Sequence, residues 1–67
     1  MKNRALTARQ LDVLRLISYG LANKEIADEL SISVETIRVH LKSIYEKLHV
    51  RSRTEAALKA VSMPMPR

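Results

Sequence analysis

The sequence predicts an all-α domain of four helices with a helix-turn-helix at its centre, and three observations predict it. Apolar residues recur at the helical period in four stretches, a cap-forming residue (Thr7, Asn23, Ser33, Ser52) opens each, and the breaks between them are short. With 67 residues the chain has room for one domain with a modest core and none for a second, catalytic one.

The first helix begins at Thr7, whose hydroxyl caps free N–H groups while Gln10, three residues on, reaches back to complete a capping box. Gly20, the one glycine, ends it as a left-handed C-cap. Val13, Leu14 and Ile17 form its inner face, and Gln10 falls in the same arc, which marks Gln10 as structural. Leu11 and Leu16 flank the stripe, either as core edge or as a contact to another domain.

The second helix runs from about Asn23, taken as its N-cap, to Leu30, with Ile26, Ala27 and Leu30 inward. The small side chain of Ala27 lets another helix cross closely. Leu30-Ser31-Ile32-Ser33 suits a sharp turn, and Ser33 caps a third helix over about Val34 to Leu48.

In that third helix Ile37, Leu41, Ile44 and Leu48 make a core stripe, while Glu35, Arg38, Val39 and Lys42 project together from a face the core does not need. As a solvated surface this face would hold only an exposed Glu35–Arg38 pair worth a few tenths of a kcal/mol. The alternative is a reading face, because the major groove admits one α-helix and offers acceptors that Arg and Lys can bridge. In that role Arg38 and Lys42 contact base edges, Val39 meets a thymine methyl, and Glu35 orients Arg38. Two helices joined by a tight turn, the second longer and more basic on its free face, favour the reading role. Thr36, Ser43 and Lys47 flank the face, and Lys24 sits at the positive end of the second helix, so these four are the candidate phosphate contacts.

Ser52 and Glu55 form a second capping box that opens the fourth helix. Ala56, Ala57, Ala60 and Val61 give it a small-residue packing face, and Leu58 lies on a different side, available to a second subunit. Met63-Pro64-Met65-Pro66 stops the helix. The expected organisation is a flexible segment over 1–5, a domain over 6–62 with its helix-turn-helix at about 23–48, and a disordered tail over 63–67.

Charge agrees with a polyanionic partner. Twelve Lys and Arg face seven Asp and Glu, and residues 34–67 hold seven basic and three acidic side chains against five and four in residues 1–33. Cysteine is absent, no apolar run is long enough to span a bilayer, and the N-terminus lacks a signal-peptide core, so neither membrane nor secretion is expected.

Leu6-Thr7, Gly20-Leu21, Asn23-Lys24-Glu25-Ile26-Ala27, Thr36-Ile37-Arg38-Val39-His40, Lys47-Leu48 and Ser52-Arg53 together resemble the LuxR-type helix-turn-helix domain over about residues 6 to 61. The short motifs stand in the right order at the right separations. The resemblance implies a four-helix module of a bacterial response regulator or quorum-sensing receptor, cytoplasmic and on the chromosome, that binds paired double-stranded DNA half-sites as a homodimer. It implies the fourth helix as dimer contact, here through Leu58 and Val61. It implies base contacts at Arg38, Val39 and Lys42, and phosphate contacts at Thr36 and Lys24.

The sequence departs from the pattern at three positions. Gln10 stands where the family usually has Glu, so a neutral amide replaces a buried ion-pair partner. His49 occupies the usual glycine position after the third helix, where a left-handed backbone strains a side chain. Arg38 stands where Lys is frequent, and its planar fork changes base preference. Arg53 and Glu25 also match the family pattern off the reading face, and the expectation is that they hold helices together through an internal ion pair.

Other classes fit less well. Catalysis needs clustered nucleophiles, acids or ligands, whereas His40 and His49 are the only imidazoles and Glu46 with His49 offers two metal ligands against the usual three. No metal or cofactor is expected. Single-stranded nucleic acid calls for aromatic platforms, and only Tyr19 and Tyr45 are present. Region four of a sigma factor has a similar helix-turn-helix but lacks the Ser-Arg-x-Glu-Ala-Ala helix. The alternative from another class is a protein-interaction module docking on a receiver domain or RNA polymerase through Leu11, Leu16 and Leu58. A receiver or ligand-binding domain elsewhere in the full protein is a further expected partner.

Overall fold

The computed structural model describes residues 5–62, which form α1 (Ala8–Ser18), α2 (Asn23–Leu30), α3 (Val34–Leu48) and α4 (Arg53–Ser62). The segment 1–4 and the tail 63–67 lie outside the described residues. Among the described residues there is no strand, so the all-α expectation holds.

Each helix start has an identifiable acceptor. Thr7 Oγ1 accepts from Gln10 N at 3.1 Å while Gln10 Oε1 accepts from Thr7 N at 3.0 Å, the reciprocal box the sequence predicts. Ser33 Oγ accepts from Thr36 N at 3.1 Å. At α4 Ser52 Oγ accepts from Glu55 N at 3.2 Å, but Glu55 Oε1 reaches past Ser52 to accept from Arg51 N at 2.8 Å. The start of α2 corrects the sequence reading: the N-cap is Ala22, and Asn23 is the first helical residue. Alanine has no side-chain acceptor, so Glu25 alone serves this end by accepting from Ala22 N at 2.7 Å.

Three helix ends share one device. Gly20, Ser31 and His49 have φ of 87°, 58° and 57°, all left-handed. Around them Leu21 N, Ile32 N and Val50 N donate five residues back to the Leu16, Ala27 and Tyr45 carbonyls, the long bond of a Schellman motif. Leu21, Ile32 and Val50 then pack against the core, so each stop signal is also a hydrophobic contact. The αL conformation expected at Gly20 and His49 is present; that at Ser31 was not anticipated.

α1 packs against all three other helices, and α3 packs against α2 and α4 as well. Leu14, Val13, Ile26, Ile37 and Ile44 are the largest fully buried side chains, each contributing roughly 1.5–3 kcal/mol by leaving water. Ala27 is buried on the inner side of α2, the helix that packs against α3 and α1. Ala56 and Ala60 of α4 are buried on the same principle.

One open packing alternative is settled, and two packing expectations change. Leu16, at 7% exposure, belongs to the core and not to a docking surface, while Leu11 is half-buried. Val61 leaves the small-residue packing face and stands 77% exposed, because Ala56 and Ala60, one turn apart, already line the side that meets the bundle. Arg53 and Glu25 form no ion pair. Arg53 Nη1 donates to Asn23 Oδ1 at 2.6 Å and Nη2 to the Leu21 carbonyl, while the Glu25 carboxylate is held at Ala22 N. Arg53 does join helices, but through neutral acceptors.

Candidate nucleic-acid interface

The helix-turn-helix is α2, the turn through Ser31 and Ser33, and α3. The turn is fixed at both ends, by the left-handed Ser31 that closes α2 and by the Ser33 cap that opens α3. Ile37, Leu41 and Ile44 turn one side of α3 into the core. The opposite side therefore faces outward, and Glu35, Arg38, Val39 and Lys42 are all exposed on it.

On that face Arg38 Nη1 lies 3.5 Å from Glu35 Oε1, with both side chains largely in solvent. A pair this exposed is worth a few tenths of a kcal/mol, so it biases the Arg38 rotamer without holding the guanidinium back from a better acceptor. Val39, at 68% exposure, offers an apolar surface to solvent. Lys42 is exposed one turn beyond Arg38.

The flanking residues divide into two groups. Thr36 is half-buried, with its hydroxyl 2.9 Å from Ser33 Oγ, at the N-terminal end of α3. Lys24 is exposed in the first turn of α2. Those two lie near helix N-termini, where unpaired N–H groups favour an anion. Ser43 and Lys47, one turn apart on α3, instead face the start of α1. Gln10 Nε2 donates to Ser43 Oγ at 3.0 Å, and Lys47 Nζ donates to Gln10 Oε1 at 2.9 Å and to the Ala5 carbonyl at 3.2 Å.

Gln10 is thus the side chain that sequence reasoning saw only in part. Its inward position was legible from the helical arc, and it is 7% exposed, but its link to two candidate phosphate residues was not. The available signal was Ser43 and Lys47 spaced at i, i+4 along the edge between core and outer face, an edge that must lie against a neighbouring helix. His40 is half-buried beside the outer face, and Glu46 and His49 are exposed. Among the described residues no three of His, Asp and Glu are placed to hold a metal ion, and no helix is long and apolar enough to cross a membrane.

Comparison with known proteins places this geometry. A family model described as bacterial regulatory proteins, luxR family (GerE), matches residues 4–60. The nitrate/nitrite response regulator protein NarP of Escherichia coli is 49% identical over 53 residues, covering 79% of this chain and 25% of NarP. The transcriptional regulatory protein LiaR of Bacillus subtilis is 43% identical over 60 residues, covering 90% of this chain and 28% of LiaR. The chain thus spans about a quarter of the length of these curated relatives. Among solved structures, a chain from the crystal structure of the anti-activator RapF complexed with the response regulator ComA DNA binding domain superimposes with a TM-score of 0.82. It is 46% identical, and the alignment covers 87% of this chain and 100% of that one.

Proposed function

Because the chain belongs to the luxR family of bacterial regulatory proteins, a family of helix-turn-helix transcription regulators and not of enzymes, we propose that it reads specific duplex DNA with α3 in the major groove. The observation that carries this reading is the outward face of Glu35, Arg38, Val39 and Lys42 on a helix whose other side is fixed in the core. Arg38 and Lys42 contact base edges, Arg38 bridging guanine O6 and N7, Val39 packs on a thymine methyl, and Glu35 presents Arg38. Lys24, Thr36, Ser43 and Lys47 contact phosphates and set the register.

The unit that binds is the domain over residues 6–62. It binds as a homodimer on two half-sites about one helical turn apart, with Leu58 and Val61 of α4 meeting the second copy. Both side chains are exposed and stand one turn apart on α4, 66% and 77% accessible. The similarity to response regulators about three times as long supports a receiver or ligand-binding domain in the full protein and a cytoplasmic location. The competing role, docking on a receiver domain or RNA polymerase through Leu11, Leu16 and Leu58, loses support because Leu16 is in the core.

The test is selection of duplex DNA from a random pool by this chain and by Arg38→Ala. Enrichment of a sequence with two half-sites, lost in the variant, is the expected result. A folded chain that enriches nothing, even when artificially dimerised, would refute sequence-specific readout.

A further inference from the structure

Gln10 has the chemistry of a cradle for a cation. Its amide oxygen receives two donors, the Lys47 ammonium at 2.9 Å and Thr7 N at 3.0 Å, which fixes the orientation of the amide with Nε2 toward Ser43 Oγ at 3.0 Å. The second acceptor of Lys47 is the Ala5 carbonyl at 3.2 Å. Both acceptors are neutral. An ammonium has three N–H donors, so these two hold its position and leave one for a further acceptor. No carboxylate lies among these partners to offset its charge.

We propose that Gln10 is a positioning residue for DNA binding: it holds Lys47 against α1 with a neutral oxygen, so that a fixed positive charge with neutral acceptors stands at the α1–α3 edge for a backbone phosphate. The proposal rests on the reading of Lys47 as a phosphate contact and adds what makes that contact effective. A lysine free in solution must be immobilised before it can bind a phosphate, at a cost in side-chain entropy; here the fold has already ordered it. A carboxylate in place of the amide would keep every hydrogen bond, since Ser43 Oγ can turn to donate, but would place a negative charge against the ammonium and cancel the field a phosphate senses.

The test uses Gln10→Glu, Lys47→Met and the double variant, each first checked by thermal melting for a folded domain. Affinity for one duplex is then measured across a salt series. Neutralising one phosphate contributes about 0.9 to the slope of log K against log salt. Lys47→Met is expected to lower the slope by about 0.9, and Gln10→Glu to lower it by nearly as much, with affinity near 0.1 M salt falling close to tenfold. In the Lys47→Met background, Gln10→Glu should change neither quantity. An unchanged slope in Lys47→Met would overturn the phosphate role itself. A lowered slope in Lys47→Met with an unchanged slope in Gln10→Glu would overturn the cradle alone. A Gln10→Glu effect that persists without Lys47 would show general charge repulsion and also overturn it.

Discussion

Arg53, the first residue of α4, donates from Nη1 to Asn23 Oδ1, the first residue of α2, at 2.6 Å across 30 positions of sequence. The second guanidinium nitrogen donates to the Leu21 carbonyl, so one side chain spans the loop that leads into the helix-turn-helix. Hydrogen bonds from a charged donor contribute about 1.5–3 kcal/mol, and Arg53 is partly exposed, which places the expected loss at the lower end. Arg53→Ala should therefore reduce stability by roughly 2 kcal/mol in urea unfolding. Asn23→Ala should reduce it by less, and the double variant by less than the sum. Normal stability with lost DNA affinity in Arg53→Ala would make Arg53 a phosphate ligand instead.

Ala27 is buried on α2, which packs against α3, and a side chain this small suits a close crossing of the two helices. At a close crossing Ala27→Leu overpacks the buried position and pushes α2 outward, at an expected cost of roughly 1–3 kcal/mol. The displacement also moves Lys24 relative to α3, so affinity for all duplex sequences should fall together. Chemical unfolding and a binding series on two unrelated duplexes measure both effects. Stability within about 0.5 kcal/mol of the unchanged chain would refute the close crossing.

What was legible in the sequence was whatever rests on neighbours along the chain. The Thr7–Gln10 box and the Ser33 cap form between residues three apart, and the 3.6-residue period placed Ile37, Leu41 and Ile44 inward before any fold was known. Asn23 misled because its ability to cap is local, whereas the partner that claimed it, Arg53, is distant. The same holds for Gln10: its burial follows from the arc it occupies, but its contacts with Ser43 and Lys47 lie 33 and 37 residues away. Val61 belongs by spacing to the alanine face and by resemblance to the dimer contact, and the packing of α4 on α1 leaves it exposed. The outer face of α3 needed no such information, since it is the complement of the core stripe.

The left-handed residues make a matched set of stability predictions. A Cβ at Gly20 would meet nothing within 4 Å, yet φ is 87°, so Gly20→Ala is a test of backbone strain alone. Left-handed backbone costs an L-residue roughly 1–2 kcal/mol, offset in part by the smaller unfolded-state entropy of alanine. A net loss of about 1 kcal/mol is expected. His49 and Ser31 already carry that strain, at φ of 57° and 58°. His49→Gly and Ser31→Gly should each raise stability by roughly 0.5–1 kcal/mol, read from denaturant midpoints at constant m. A loss in either glycine variant would mean that the replaced side chain contributes more than its strain costs.

Leu58 and Val61 make the opposite kind of prediction, since the isolated domain gains nothing from them. Both are exposed on α4, on the side away from buried Ala56 and Ala60. Replacing either with Glu should leave unfolding stability within about 0.5 kcal/mol, because a solvent-facing position has no packing to lose. Dimer formation on DNA should suffer instead. If α4 joins two copies, binding to the first half-site raises the local concentration of the second copy, and the paired site is bound more tightly than the single one. Leu58→Glu would set two carboxylates against each other at a two-fold interface and should erase that advantage, by roughly one to two orders of magnitude. Affinity for a single half-site should change little. Equal loss on single and paired sites would place the defect in DNA contact, and no loss on either would remove α4 from the dimer.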